Sequence, residues 1–200
     1  MRLSAECLAR KHDRFSTLRS NVSEDIARFL TKSSHDLARG DTWKTRWSAF
    51  LTPEVFPVFW YRVAHYLNVT GWPRLAIFVT RINSLLHKVY ITPQSCIGPG
   101  FRLPHPAGVT FHGKAGRGLT IYSLGICCAG TDEWGGPRET GPALGEYVTI
   151  GAHAVVQGNV AVGDSTIVAY AARLDRDAPG GILVSSGSLR ASIRSMNPDH

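Results

Sequence analysis

Residues 144–174 read LGEYVTIGAHAVVQGNVAVGDSTIVAYAARL, and every sixth one is aliphatic: Leu144, Ile150, Val156, Val162, Val168 and Leu174. A helix repeats its apolar face about every 3.6 residues and a half-buried strand about every two, so neither gives this stride. Gly145, Gly151, Gly163 and Ala169 follow one place after the aliphatic residue. Val148, Ala154, Val160, Thr166 and Ala172 stand four places after it. The same stride runs upstream through Ile91, Ile97, Leu103, Val109, Ala115, Ile121 and Cys127. A sustained period of six is the signature of a parallel β-helix. Each segment is a short strand of roughly 20 Å. Its aliphatic side chain fills a narrow tube, and its small residues turn the corner. Three segments close a coil of about eighteen residues. Coils stack about 4.8 Å apart through backbone hydrogen bonds.

The stride also locates an insertion. Cys127 and Leu144 are seventeen positions apart, five more than two segments need. A loop bulging over residues 133–143 is expected, with Cys127 and Leu144 on different sides of one coil. Such loops commonly carry binding residues. Counting from the stride places Ser123, Glu146 and Asp164 in one column with His105. It also places Gly130 and His153 in a column with His112. His112 and His153 would then be two coils apart, too far to share one metal ion held at about 2.1 Å.

Residues 1–89 read as helical. Ser23, followed by Glu24 and Asp25, looks like a helix start. Phe59, Val63, Tyr66 and Leu67 recur at helical spacing, as do Leu75, Phe78, Val79, Ile82, Leu85, Leu86 and Val89. Gly71-Trp72 separates the two runs, and Pro73 suits a first turn. The stretch VFWYRVAHYL is aromatic and basic, which suits a membrane surface or, as the favoured reading, packing on the rest of the chain. The expected divisions are a helical region over 1–89, a β-helix over 90–181 and a tail over 182–200.

The net charge of +7 fits a polyanionic partner such as a phosphate-bearing cofactor. Lys and Arg are scattered, so no nucleic acid is expected as a partner. No stretch reaches the roughly 18–20 apolar residues of a membrane span. No apolar leader segment is evident, and Cys7, Cys96, Cys127 and Cys128 form no CxxC pair. Reduced thiols and a cytoplasmic location are the expectation.

At FWYRVAHYL, ITPQSCIGPGFRLPHPAGVTF, LTIYSLGI, the long stretch from Leu144 and Arg190, the chain resembles the serine acetyltransferase-like family. It looks most similar to the short O-acetyltransferases of capsule and exopolysaccharide synthesis. The resemblance covers roughly residues 56–190. It implies a mainly β fold, a left-handed parallel β-helix with an N-terminal α-helical region. It also implies a homotrimer with active sites between neighbouring β-helices, and acetyl-CoA as co-substrate with no metal.

The family's catalytic histidine falls on His105, a general base for an acceptor hydroxyl attacking a thioester. Glu139, Asp132 or Glu146 are the candidates to replace the family's orienting aspartate, with Glu139 taken as the catalytic partner. Arg138, Asp132 and Tyr90 would hold substrate. Ala129, Gly130, Gly151, Ala152, Ala169, Arg176 and Arg190 would hold coenzyme A, with Arg173 and Arg138 as further phosphate partners. Tyr90 and Pro104 stand where the family carries acidic residues, and the later family histidine is missing from PRETGP. The expected function is acetyl transfer to the hydroxyl of a sugar, small metabolite or amino acid, with a non-serine acceptor favoured. L-serine O-acetylation and a catalytically silent binding scaffold are the alternatives. A metal enzyme of the γ-carbonic anhydrase type would share the fold but needs three histidines in a spacing that His105, His112 and His153 do not supply.

Overall fold

The computed structural model describes residues 10–32, 43–130 and 141–185, and the backbone of 188–190. From Tyr90 onward the chain winds through three sides. The first side stacks Tyr90–Ile91, Thr110–Phe111, Ile126–Cys128, Val155–Gln157 and Arg173–Leu174. The second stacks Cys96–Ile97, Lys114–Ala115, Ala143–Leu144 and Ala161–Val162. The third stacks Thr120–Ile121, Thr149–Ile150, Ile167–Val168 and Leu183–Ser185. These neighbours pair in parallel. The ladder thus continues through Ser185, beyond the boundary expected at residue 181. Ser188–Arg190 then turns back antiparallel on Leu183–Ser185.

All thirteen residues of the six-residue stride are buried, and they form one continuous apolar column. The glycine after the aliphatic residue has a steric cause. A Cβ at Gly151 would lie 2.8 Å from the backbone of Ala169 and Tyr170, and one at Gly116 would lie 2.8 Å from Gly145. Coils stacked this closely leave no room for a side chain there.

The register departs from a uniform stride in two places. Ile91 pairs with Phe111, twenty residues on, and Phe111 pairs with Cys127, sixteen on. Two extra residues sit in the corner that holds His105, and the following corner at His112-Gly113 is two residues short. Ala115, Ile121 and Cys127 then pair with Leu144, Ile150 and Val156, each twenty-nine residues on. Eighteen would close a coil, so the insertion is eleven residues and not five. Cys127 and Leu144 do lie on adjacent sides of one coil. Ala143 already belongs to the strand, so the bulge ends sooner than expected.

Four helices precede the coils among the described residues: α1 (Phe15–Lys32), α2 (Trp43–Phe50), α3 (Phe56–Val69) and α4 (Pro73–His87). Pro73 opens α4, and Gly71 takes φ +92° in the turn between α3 and α4. Ser23 does not start a helix. It lies mid-way along α1, because Asp25 is turned inward to bind Arg62. Arg62 also donates to the carbonyls of Ile97 and Gly98, while the Phe101 N–H donates to Asp25. Arg10 and Arg28 likewise reach carbonyls of the first two coils at Ala115, Gly100 and Leu119. The helices therefore cap the open first coil through guanidinium groups seated on backbone acceptors. Cys127 and Cys128 are free, but Cys96 is disulfide-bonded, which corrects the expectation of reduced thiols at that position.

Candidate active site

Three corners run along the coils, and each stacks equivalent residues. The corner from the third side to the first carries Pro104–Gly108, Tyr122–Gly125, Gly151–Ala154 and Ala169–Ala172 in successive coils. Its left-handed positions are Gly108, Leu124, His153 and Ala171. They are stacked through Leu124 N–H to Ala107 O, His153 N–H to Ser123 O and Ala171 N–H to Ala152 O.

His105 is a further left-handed residue, at φ +52°, and belongs to the two-residue elongation of this corner. A non-glycine residue there costs on the order of 1 kcal/mol. Pro104 and Pro106 fix the backbone on both sides, and a following proline disfavours the right-handed helical region for His105. The exposed imidazole is thus displayed at a stiffened bulge. Two coils separate His105 from Gly151 and Ala152, roughly 10 Å along the stack, and Ala169 lies one coil further. Tyr90 begins the first side beside the same corner and is 46% exposed.

The other expected residues lie elsewhere. Ala129 and Gly130 are on the corner from the first side to the second, as is Arg176, which is exposed and 3.5 Å from Asp175. Arg173 points out from the first side and hydrogen-bonds Gln157. Arg190 sits in the antiparallel strand. Asp132, Arg138 and Glu139 lie outside the described residues. Glu146 and Asp164 sit on the remaining corner, where the Glu146 N–H donates to Asp164 at 2.7 Å. They do not stack under His105, which corrects the expected column. His112 and His153 likewise fall on different corners.

The His105 corner has a chemical character that the sequence reading did not extract. Pro104–Gly108, Tyr122–Gly125, Gly151–Ala154 and Ala169–Ala172 include no carboxylate, and the cation that adjoins them is the exposed Lys88, whose carbonyl accepts from the Gly108 N–H. Its exposed groups include His105, Tyr122, His153 and Tyr170. The His153 and Tyr170 rings meet edge to face at 5.6 Å. The signal for this pair lay in the stride itself, since His153 takes the corner place of Leu124 and Ala171, and Tyr170 that of Ser123 and Ala152. Cys127 is enclosed in the tube, and burial pushes its thiol well up, so it offers no thiolate.

The arrangement is an exposed imidazole raised on a ridged edge with small residues stepping away from it. Acetyl-CoA is compatible with this surface.

No protein-family model matches the chain. Serine acetyltransferase of Helicobacter pylori strain 26695 is 30% identical over 141 residues, covering 69% of this chain and 81% of that protein. Serine acetyltransferase of Mycobacterium tuberculosis is 34% identical over 138 residues, covering 68% and 59%. Among solved structures, serine acetyltransferase of Neisseria gonorrhoeae superposes with TM-score 0.74 at 20% identity, covering 89% of this chain and 64% of that one. Serine acetyltransferase of Brucella abortus strain S19, in complex with coenzyme A, superposes with TM-score 0.75 at 19% identity, covering 92% and 71%. The structural likeness gives the coils their hand: this is a left-handed parallel β-helix. With the six-residue stride, the helical cap and the extent of the H. pylori match, the chain belongs to the serine acetyltransferase family of acetyl-CoA-dependent O-acetyltransferases.

Proposed function

We propose that the protein transfers the acetyl group of acetyl-CoA to the hydroxyl of L-serine, with His105 as general base. The observation that carries this reading is the match over 81% of a serine acetyltransferase. It weighs against the non-serine acceptor favoured from sequence alone. The neutral His105 imidazole accepts the hydroxyl proton as the oxygen attacks the thioester carbonyl. The tetrahedral oxyanion collapses, the carbon–sulfur bond breaks, and the imidazolium returns its proton to the coenzyme A thiolate. In this reading the small residues at Gly151, Ala152 and Ala169 line the pantetheine arm. Arg176 and Arg190 reach phosphates from a neighbouring copy in a homotrimer. Tyr90 faces the acceptor, Ala129 and Gly130 contribute to the coenzyme A site, and Asp132, Arg138 and Glu139 are assigned to the acceptor and the imidazole.

One observation favours a second reading. The His105 corner has no carboxylate among its described residues, so the ammonium of serine would depend on Asp132, Glu133 or Glu139. A neutral acceptor such as a sugar hydroxyl would not. Free-thiol release from acetyl-CoA, measured with L-serine and a panel of sugars, decides between them. L-serine is expected to be the best acceptor, with His105→Ala lowering turnover at least about a hundredfold while coenzyme A still binds. Faster transfer to a sugar would move the acceptor to the second reading. Turnover that survives His105→Ala would remove His105 from the mechanism, and no turnover with any acceptor would leave a binding scaffold.

A further inference from the structure

Residues 55–131 contain no Asp or Glu. Their cations are Arg62, Arg74, Arg81, Lys88, Arg102, Lys114 and Arg117. Arg62, Arg102 and Arg117 pair with Asp25, Glu54 and Glu24. Arg74, Arg81 and Lys88 are different. They lie along α4 and at its C-terminal cap, they are exposed, and no carboxylate among the described residues meets them.

α4 buries Ala76, Val79, Thr80 and Asn83 against the protein. At about 100° per residue, Arg74, Phe78, Arg81 and Leu85 fall opposite that face. Leu75 and Leu86 fall along one edge of the outward face, and Lys88 along the other. Leu85 is 71% exposed, Leu86 64% and Phe78 58%. Trp72, at the turn into the helix, is also exposed. Leu75, Phe78, Leu85 and Leu86, four of the apolar residues recurring at helical spacing, therefore lie on the surface. They form a line beside a line of cations.

A second copy related by a two-fold axis is a poor occupant for such a face. A two-fold contact would set Arg74, Arg81 and Lys88 against the same three cations, with no acidic residue in α3 or α4 to offset them. An anionic surface matches the charge, and a lipid surface also takes the apolar line. We propose that α4 docks this protein peripherally on an anionic lipid membrane. Leu75, Phe78, Leu85 and Leu86 enter the headgroup boundary, the Trp72 indole sits at the interface, and Arg74, Arg81 and Lys88 meet lipid phosphates. Among the described residues no helix is long and apolar enough to cross a membrane, so the attachment lies in the surface plane.

The test is co-sedimentation of the whole protein with vesicles of phosphatidylcholine, with or without about 30% phosphatidylserine. Wild type is expected to bind the anionic vesicles at least about fivefold more than the neutral ones, and to be released as salt rises to about 0.5 M. Leu85→Glu with Leu86→Glu should abolish binding, with circular dichroism unchanged because both side chains are exposed. Arg74→Gln, Arg81→Gln and Lys88→Gln together should weaken it, and they serve as the readout if the glutamate variant does not fold. Wild type left in the supernatant with anionic vesicles would overturn the proposal. So would equal binding to neutral vesicles, or a glutamate variant that binds normally. A wild type that ignores vesicles but loses oligomeric mass in the glutamate variant would give the face to a second copy.

Discussion

His12 and His65 bury two imidazoles in one hydrogen-bonded chain. The His65 Nδ1–H donates to the Pro93 carbonyl at 2.9 Å, because a carbonyl can only accept. This leaves His65 Nε2 as acceptor for the His12 Nδ1–H at 2.8 Å. This pattern holds His65 neutral, and the lowered pKa of His12 keeps that ring neutral too. Burial lowers His65 from 6.5 to about 3, the Pro93 carbonyl opposing this and His12 and Arg62 adding to it. Burial, then Arg62 and Arg10, lowers His12 to about 4. The unfolded chain takes up these protons near pH 6.5, whereas the folded chain resists them until far lower. The stability from this pair is thus complete above about pH 6.5, falls as pH drops toward 4, and levels off below about 3. The loss by pH 4 should be on the order of a few kcal/mol. Urea midpoints at pH 7 and pH 5 should show it, and a His12→Gln, His65→Gln double variant should flatten the difference. Equal wild-type midpoints at the two pH values would remove the pair as a determinant.

The ion pair between α1 and α3 is the joint on which the helical cap turns. Arg62 and Asp25 are 2% and 3% exposed, with contacts at 2.9 and 3.1 Å. Asp25 holds Arg62 charged above its ordinary range against the cost of burial. Arg62→Met would leave a buried carboxylate and the Ile97 and Gly98 carbonyls without donors. Guanidinium unfolding should register a loss of about 3–5 kcal/mol. Asp25→Leu added to Arg62→Met should recover part of it, because the uncompensated charge is then gone. A single-variant cost below about 1 kcal/mol would show that the joint is dispensable. The sequence hid this role, since Ser-Glu-Asp has the composition of a helix start and nothing local reveals a partner thirty-seven residues away. The coils were far more legible. Each inward aliphatic residue answers to a steric rule that repeats every six positions, so the pattern is local. The elongated His105 corner was invisible for a related reason. Two extra residues and two missing ones cancel in the count, and Val109 and Phe111 are both apolar enough to occupy the inward place. The eleven-residue insertion was undercounted because seventeen positions can be divided between sides in more than one way.

At the scale of the whole molecule, most of the expected site residues that the structure describes fall on two corners at opposite edges of one side. His105, Gly151, Ala152 and Ala169 line one corner, and Ala129, Gly130 and Arg176 line the other. A groove between neighbouring copies would unite them without either corner moving, with His105 from one chain and Glu139 from the next. Subunit mixing tests this directly. His105→Ala and Glu139→Ala should each be inactive alone. Refolded together in equal amounts, a homotrimer with shared sites gains one intact site in every mixed trimer, because one junction pairs an unaltered His105 with an unaltered loop. Random assembly should then restore about a quarter of wild-type turnover. If His105 and Glu139 worked within a single chain, every subunit would carry one lesion and mixing would restore nothing. Full activity of Glu139→Ala alone would take that residue out of the site and pass the experiment to Asp132→Ala or Arg138→Ala in the same loop.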